Sequence, residues 1–299
     1  MKRIVPGGCK IIQCIEECLN MKKISRRSFL AAAGVAAAAL ALTACGSSAS
    51  STASSAASSA ASSEAASTSA AAGELTTVEA GKLTMATNAA FPPYEMTTDA
   101  GEFEGIDIET AQAIADKLGL ELQIDDMDFD AALLSVQQGK ADIVMAGVTV
   151  TDERKAVMDF SDSYATGIQS IIVPNDSDIA SPDDLVGKKI GTQRGTTGYI
   201  YCSDDFGEDS VVAYDNGLTA VQALNNGQVD AVVIDNAPAT EYVAANPGLK
   251  VLDTSYAEED YAIGMAKGSA LEDAVNKALE ELKADGTLQA IVDKYINAN

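Results

Sequence analysis

The segment from Thr149 to Arg154 combines a hydroxyl group, a helix start signal and a cation. Thr151 or Asp152 is a typical N-cap residue, so Arg154 falls in the first turn of a predicted helix. A cation at that position opposes the helix dipole by about 0.3–1 kcal/mol. One interpretation is that the adjacent acidic residues neutralise Arg154 at the protein surface. The other is that Arg154 clamps a carboxylate group, assisted by Thr149 and by backbone N–H groups.

Two further segments follow predicted buried strands. Residues 191–198 form a glycine-rich loop ahead of a predicted helix, without the Gly-Lys-Ser/Thr ending of a nucleotide-binding loop. Free N–H groups at such a helix start suit an anion, although a plain turn explains the glycines equally well. Asp235 ends the next strand, where it either belongs to the cap formed by Asn236 and Pro238 or pairs with an ammonium group in a cleft.

Aromatic residues stand beside two of the predicted loops. Phe91 begins the run Phe-Pro-Pro-Tyr, and Phe129 follows an acidic stretch. Such side chains either belong to the core or form the walls of a ligand pocket. The acidic stretch begins like a calcium-binding loop, but Ala131 and Gln137 occupy the positions that require glycine and glutamate. We therefore predict no calcium site there.

The elements that carry these residues alternate between strand and helix. Strands are predicted at 82–87, 141–146, 168–173, 189–191 and 231–234, and helices at 108–118 and 271–283. Both predicted helices stop near a glycine, as α-helices commonly do. The alternation indicates an α/β fold with largely parallel sheets, in which ligands bind at the carboxyl ends of the strands.

One short pattern occurs twice in the chain. Residues 138–144 read QGKADIV and residues 226–232 read NGQVDAV, each between an apolar helix and a buried strand. The pattern predicts two lobes of similar build, with chance similarity as the alternative. At the same spacing, Gly147 is the counterpart of Asp235, and both follow the end of a strand.

Composition excludes several classes of function. The 299 residues contain 20 Lys and Arg against 44 Asp and Glu, a formal charge of −24, which disfavours binding to nucleic acid. The chain has no histidine, so it has no Ser-His-Asp or Cys-His catalytic site. Beyond residue 46 the only cysteine is Cys202, which we expect to be packed in the interior. We predict no disulfide framework, no metal site and no cofactor in the body of the protein.

The first 74 residues read as an export signal and a tether. A basic segment begins at Met21, the predicted true start, and an apolar run follows at 29–42 that is too short to span a bilayer. The sequence Leu-Thr-Ala-Cys ending at Cys45 resembles a lipobox, which predicts lipidation of Cys45; a plain secretory signal is the alternative. Arg26 and Arg27 leave general and twin-arginine export both open. Residues 1–44 thus form an extension plus signal peptide, and residues 45–74 a Ser/Ala-rich tether.

Several segments together resemble the family 3 extracellular solute-binding proteins, the receptors of polar amino acid ABC importers. They are AGVTVTDER at 146–154, DFSDSY at 159–164, FPPYE at 91–95, GIDIE at 105–109, GTT at 195–197 and VDAV at 229–232. The resemblance implies a type II periplasmic-binding-protein-like fold with two hinge strands and the ligand in the interlobe cleft. It places the body at 75–299, with lobe 1 at 75–170 and 266–299 and lobe 2 at 171–265. The hinges are expected near 167–173 and 261–267.

The resemblance also implies which residues hold the main chain of an amino acid ligand. Arg154 would bind the α-carboxylate, and Gly147 and Thr149 would add hydrogen bonds. Thr197 would contact the carboxylate from the second lobe, and Asp235 would take the α-ammonium group. One charge from each lobe then matches the two charges of the ligand.

The ligand side chain is expected between Phe91 and Phe129, with Asn88 and Gln193 near its tip. Family members that select cationic side chains tend to carry Asp at the position of Asn88. We therefore expect a polar uncharged or small neutral amino acid.

The leading hypothesis is a monomeric, non-catalytic lipoprotein outside the bacterial cytoplasmic membrane. It would be anchored only by the lipid on Cys45 and would deliver an amino acid to the permease of an ABC importer. Two alternatives stay open: an enzyme on the same fold, similar to cyclohexadienyl dehydratases and using Glu95 or Asp107, or the ligand-sensing subunit of a receptor.

Overall fold

The computed structural model describes residues 75–296, which form two α/β lobes. The fold-class prediction is confirmed in this range. The predictions for the start at Met21, for Cys45 and for the tether lie outside the described residues.

Fourteen strands and eight α-helices make up the described residues. The strands are β1 (Lys82–Thr87), β2 (Ala90–Phe91), β3 (Glu95–Thr97), β4 (Phe103–Glu104), β5 (Glu121–Asp126), β6 (Ile143–Val144), β7 (Met158–Phe160), β8 (Ala165–Pro174), β9 (Ile190–Gln193), β10 (Val211–Tyr214), β11 (Ala231–Asp235), β12 (Leu249–Val251), β13 (Ala257–Tyr261) and β14 (Gly264–Ala266). The helices are α1 (Ile106–Leu118), α2 (Phe129–Gln137), α3 (Asp152–Lys155), α4 (Thr197–Phe206), α5 (Gly217–Asn225), α6 (Asn236–Ala244), α7 (Glu272–Ala284) and α8 (Thr287–Ile296). Two 3₁₀ helices lie at Pro182–Leu185 and Glu208–Ser210.

Each lobe is built around its own sheet. The first sheet has the strand order β5-β1-β6-β14-β7, and the second has β10-β9-β11-β8-β12 with β13 also paired to β8. Within the α/β units the strands are parallel, as predicted: β1 with β5 and β6, and β9 with β10 and β11. The expectation of largely parallel sheets is otherwise wrong, because β7, β8, β12, β13 and β14 pair antiparallel.

Apolar helix faces cover the first sheet. Helix α1 ends at Gly119, whose φ of 71° continues the chain in the left-handed region that glycine adopts at little cost. Leu83 and Met85 of β1 are fully buried in one core cluster with Ile114 of α1 and Leu279 of α7. Burial of each such side chain contributes about 1.5–3 kcal/mol. This core holds the carboxyl ends of the strands at fixed positions.

The repeated pattern performs the same structural task in both lobes. Asp142 and Asp230 each precede a strand, and each accepts a hydrogen bond from a backbone N–H group. Asp142 accepts from Thr84 N at 2.8 Å, and Asp230 accepts from Lys189 N at 2.8 Å. The glycines before them have φ values of 65° and 67°. The sequence repeat is therefore a real correspondence between the two lobes.

The chain passes between the sheets twice. It leaves the first sheet after Phe160, enters β8 at Ala165, and returns between Tyr261 and Gly264. The two crossings run side by side, since Tyr164 N donates to Tyr261 O at 2.9 Å. The first crossing therefore comes before the expected hinge at 167–173, which lies within β8, whereas the second overlaps the expected segment at 261–267.

Cys202 is fully buried in the core of the second lobe, as expected. Within residues 75–296, no helix is both long enough and apolar enough to cross a membrane.

Candidate ligand-binding site

One small cavity lies between the lobes, with about 310 Å³ of empty space when the part open to solvent is included. All nine residues expected to contact a ligand line it: Asn88, Phe91, Phe129, Gly147, Thr149, Arg154, Gln193, Thr197 and Asp235. They come from strand ends and helix starts of both lobes, where an α/β fold places its ligands. Glu95, Ala146 and Thr196 complete the lining.

Arg154 is buried at this cavity. Thr151 is the N-cap of the short helix α3 and accepts a hydrogen bond from Arg154 N at 3.2 Å. The guanidinium donates to Thr149 O at 2.8 Å and to Gly195 O at 3.1 Å, and lies 5.4 Å from the ring centre of Phe129. The side chain is only 8% exposed, and burial lowers its pKa. The surface interpretation of Arg154 is therefore wrong.

Asp235 provides the opposite charge from the second lobe. It occupies the N-cap position of α6, but its side chain makes no capping hydrogen bond. Instead its carboxylate accepts hydrogen bonds from Gln169 Nε2 at 2.9 Å and from the hydroxyl of Tyr261. Asn236, expected to be the cap residue, is the first residue of the helix. Burial, followed by the nearby carboxylate of Glu259, raises the pKa of Asp235 to about 7.

Glu259 lies behind the pair formed by Thr149 and Gln169. Its Oε2 accepts the hydroxyl of Thr149 at 3.0 Å and Gln169 Nε2 at 3.0 Å. Because Thr149 gives its single hydroxyl proton to Glu259, its lone pairs are left free to accept a hydrogen bond from a ligand. Thr149 Oγ1 also lies 3.4 Å from Thr197 Oγ1 of the second lobe.

The opposite end of the cavity is lined by amides, aromatic rings and a carboxylic acid. Gln193 Nε2 donates to Asn88 Oδ1 at 3.0 Å, so the ends of β1 and β9 meet across the cleft. Gln193 Oε1 and Glu95 Oε2 are buried without hydrogen-bond partners among the described residues. Burial and the proximity of Asp107 raise the pKa of Glu95 well above its usual range.

Gly147 is held in place by Asp107. Gly147 has a φ of 55°, and a side chain there would come within 2.9 Å of the Phe91 ring. Its N–H donates to Asp107 Oδ2 at 3.0 Å, and the hydroxyl of Tyr164 donates to Asp107 Oδ1 at 2.7 Å. Asp107 is fully buried, which raises its pKa to about 6. These contacts assign Asp107 to the support of the cavity wall.

The glycine-rich loop brings the second lobe to the first. Thr196 is the N-cap of α4 and accepts Tyr199 N at 3.3 Å, so the expected strand, loop and helix are confirmed. Gly195, with φ of 74°, approaches Asp130 so closely that a Cβ would lie 1.6 Å from its carboxylate. Tyr242 of the second lobe also donates to Ala90 O at 2.7 Å. With these contacts the two lobes are closed on each other.

The sequence analysis missed the residues behind the cavity. Gln169 comes from β8, and Glu259 and Tyr261 come from β13. The burial pattern of β13 alternates, with Glu259 and Tyr261 buried and Glu258 and Asp260 exposed. The sequence of this strand, Ala-Glu-Glu-Asp-Tyr, does not reveal that alternation, because the buried and the exposed positions are both acidic. Within the described residues, no cluster of three or more acidic or cysteine side chains is placed to hold a metal ion.

Two similar lobes, joined by two crossing segments, enclose a cavity to which one lobe contributes a cation and the other an anion. This arrangement is typical of a protein that binds a small molecule by closing over it. Comparison with known families agrees: residues 83–298 match the bacterial extracellular solute-binding proteins, family 3. The chain belongs to this family.

Individual relatives cover most of the described residues. The L-cystine-binding protein TcyJ of Escherichia coli (strain K12) is 33% identical over 74% of this chain and 85% of its own length. The arginine-, lysine-, histidine-binding protein ArtJ from Geobacillus stearothermophilus matches at 34% identity and a TM-score of 0.70, covering 73% of this chain and 96% of ArtJ. An ancestral arginine-binding protein bound to glutamine matches at 43% identity and a TM-score of 0.69, over 72% of this chain and 98% of that protein. This chain is accordingly a binding protein and not an enzyme.

Proposed function

We propose that the protein captures an L-α-amino acid between its lobes and delivers it to an ABC importer. The observation that most directly supports this proposal is that Arg154 and Asp235, one from each lobe, are buried at a single cavity. Arg154 binds the α-carboxylate with the donors that its two carbonyl contacts leave free, and Asp235 binds the α-ammonium group. Only a closed cleft presents both charges to one ligand, so the ligand stabilises the closed form.

The remaining main-chain contacts follow from the hydrogen bonds of the cavity. Thr149, with its proton committed to Glu259, accepts a hydrogen bond from the α-ammonium group. Gly147 contributes backbone contacts, and Thr197 at the start of α4 donates to the α-carboxylate. The relatives support this assignment, because they are named for binding cystine, arginine, histidine or glutamine.

For the ligand side chain we propose a polar uncharged group, with glutamine as the first candidate. Asn88 and Gln193 supply uncharged donors and acceptors, and Phe91 and Phe129 supply flat apolar walls. The ancestral arginine-binding protein has been solved with glutamine and with arginine, so the same fold accepts both. Arginine is therefore the principal competitor to test.

The cellular arrangement follows from the family and from the N-terminal sequence. We propose a monomer on the outer face of the cytoplasmic membrane, anchored by lipid on Cys45 and by no other membrane contact. Two acyl chains provide stable anchoring. The lobe around the first sheet and the lobe around the second sheet would open and close about the two crossings, and the closed form would engage the permease.

A thermal-shift screen tests the proposal. The protein is unfolded and refolded to remove any carried-over ligand, and its melting temperature is measured with each of the twenty L-amino acids by calorimetry, because the chain contains no tryptophan. A ligand at 100 times its Kd adds about 2.7 kcal/mol. We expect one or a few polar amino acids, glutamine among them, to raise the transition by several degrees. A screen in which no amino acid raises it would overturn the proposal.

A further inference from the structure

Glu259 is a buried carboxylate that the proposed ligand contacts leave unused. It lies on β13, directly opposite Gly167 of β8, and is 6% exposed. Strand β13 leads directly into the second crossing between the lobes. A carboxylate is rarely buried to this extent unless its charge is balanced or used.

The hydrogen bonds of Glu259 join it to both lobes and to Asp235. Thr149 from the first lobe and Gln169 from the second both donate to Oε2. Gln169 Nε2 also donates to Asp235, so one amide group bridges the two carboxylates. Oε1 is buried and has no hydrogen-bond partner among the described residues.

The charges around the main-chain end of the cavity do not cancel. Arg154 is the cation there, and the carboxyl groups of Glu259, Asp130 and Asp235 lie near it. Tyr201 of α4 also faces Glu259, but it is a neutral hydroxyl. One cation thus faces three carboxyl groups, so the formal charge at this end is negative. In a buried, closed cleft such a charge imbalance changes the binding free energy of a ligand according to the ligand's net charge.

We propose that Glu259 is a specificity-determining residue that excludes amino acids with a net negative charge. Its carboxylate adds negative charge behind the cavity. A zwitterion is accepted because Arg154 and Asp235 pair its two charges, while an additional anionic group on the ligand is repelled. This inference rests on the proposed function, since it concerns the charge of an amino acid in that cleft.

Matched ligand pairs test this role in the full-length protein. Kd is measured by calorimetry for glutamine against glutamate and for arginine against citrulline, pairs of similar size that differ by one charge. The wild-type protein should prefer the more positive member of whichever pair it binds. In Glu259→Gln that preference should shrink by about tenfold, because one charge roughly 10 Å from the ligand side chain is removed at an effective dielectric constant near 20.

Two variants separate charge from structure. Glu259→Asp keeps the charge and should keep most of the preference. Glu258→Gln removes one charge from the exposed side of the same strand and should leave the preference unchanged. If Glu259→Gln weakens both members of a pair equally, Glu259 is only structural and the inference is wrong. If the wild-type protein binds no member of either pair and no other amino acid, the proposed function fails and the inference fails with it.

Discussion

At the residue scale, the candidate site contains two buried charged side chains. The neighbouring groups fix their positions without neutralising them, so both side chains remain available to a ligand. Arg154 is fixed by two backbone carbonyls and the Phe129 ring, none of which neutralises it. Asp235 is fixed by an amide and a hydroxyl, which orient the carboxylate without supplying a cation. Under the proposed function, each charge would be paired fully only when a zwitterion enters, and this would give the ligand its differential affinity for the closed form.

Replacing Arg154 tests the carboxylate contact. In Arg154→Met, Asp235 and the ligand carboxylate remain buried without their cation, which costs about 2–5 kcal/mol of binding free energy. We expect micromolar binding to disappear in calorimetric titrations. Lys155→Met, which alters the exposed neighbour on the same helix, should bind as the wild type does. Near-native affinity in Arg154→Met would rule out the assignment.

The pH dependence of binding tests Asp235. Its pKa is raised to about 7 in the ligand-free cleft, and an α-ammonium group would lower it again, so ligand binding releases a proton. Affinity should therefore rise with pH and level off above about 7, with binding at pH 5 weaker than at pH 8 by on the order of 100-fold. Asp235→Asn should bind weakly and with little pH dependence, which separates this effect from the titration of Asp107. A flat profile in the wild type would contradict the role given to Asp235.

At the element scale, strands β8 and β13, which adjoin the two crossings, carry the residues that support both charges. Gln169, Glu259 and Tyr261 meet behind the cavity because β8 and β13 pair antiparallel, with Glu259 opposite Gly167 and Tyr261 opposite Ala165. The Tyr261 ring packs over Gly167, and a Cβ there would lie 2.4 Å from the ring. The shape of this strand pair thus controls the position of Asp235.

Gly167→Ala should disturb that support. The added methyl group displaces Tyr261, whose hydroxyl donates to Asp235, and overpacking of this kind costs about 1–3 kcal/mol. We expect lower stability in urea unfolding and at least about tenfold weaker ligand binding. Gly248→Ala, where no atom lies within 4 Å, is the matched control. Unchanged affinity in Gly167→Ala would show that Tyr261 does not position Asp235.

The sequence predicts the residues that line the cavity better than it predicts the residues that lie behind them. Arg154, Asp235, Asn88 and Gln193 follow strand ends or start helices, positions that periodicity locates within a few residues. Glu259 and Gln169 meet only through the register of two strands far apart in the chain, which local pattern does not determine. The same long-range pairing explains why the strands joining the lobes are antiparallel, although alternating strands and helices predicted largely parallel sheets.

At the scale of the whole molecule, two similar lobes close over one cavity. Equivalent aspartates, Asp142 and Asp230, begin equivalent strands, and the carboxyl ends of those strands face each other across the cleft. Direct contacts such as Gln193 with Asn88 hold the lobes together. Closure buries Arg154 and Asp235, and it would therefore strengthen the two proposed ion pairs with a ligand.

The most direct test of this account is the affinity of the best amino acid ligand compared with its α-amide and its N-acetyl derivative. The α-amide removes the charge that Arg154 binds, and the N-acetyl group removes the charge that Asp235 binds. All three compounds keep the same side chain, so calorimetry isolates the two main-chain contacts. We predict that each derivative binds at least about 30-fold more weakly than the free amino acid. A derivative that binds as tightly as the parent would show that the buried Arg154 and Asp235 do not clamp a zwitterion.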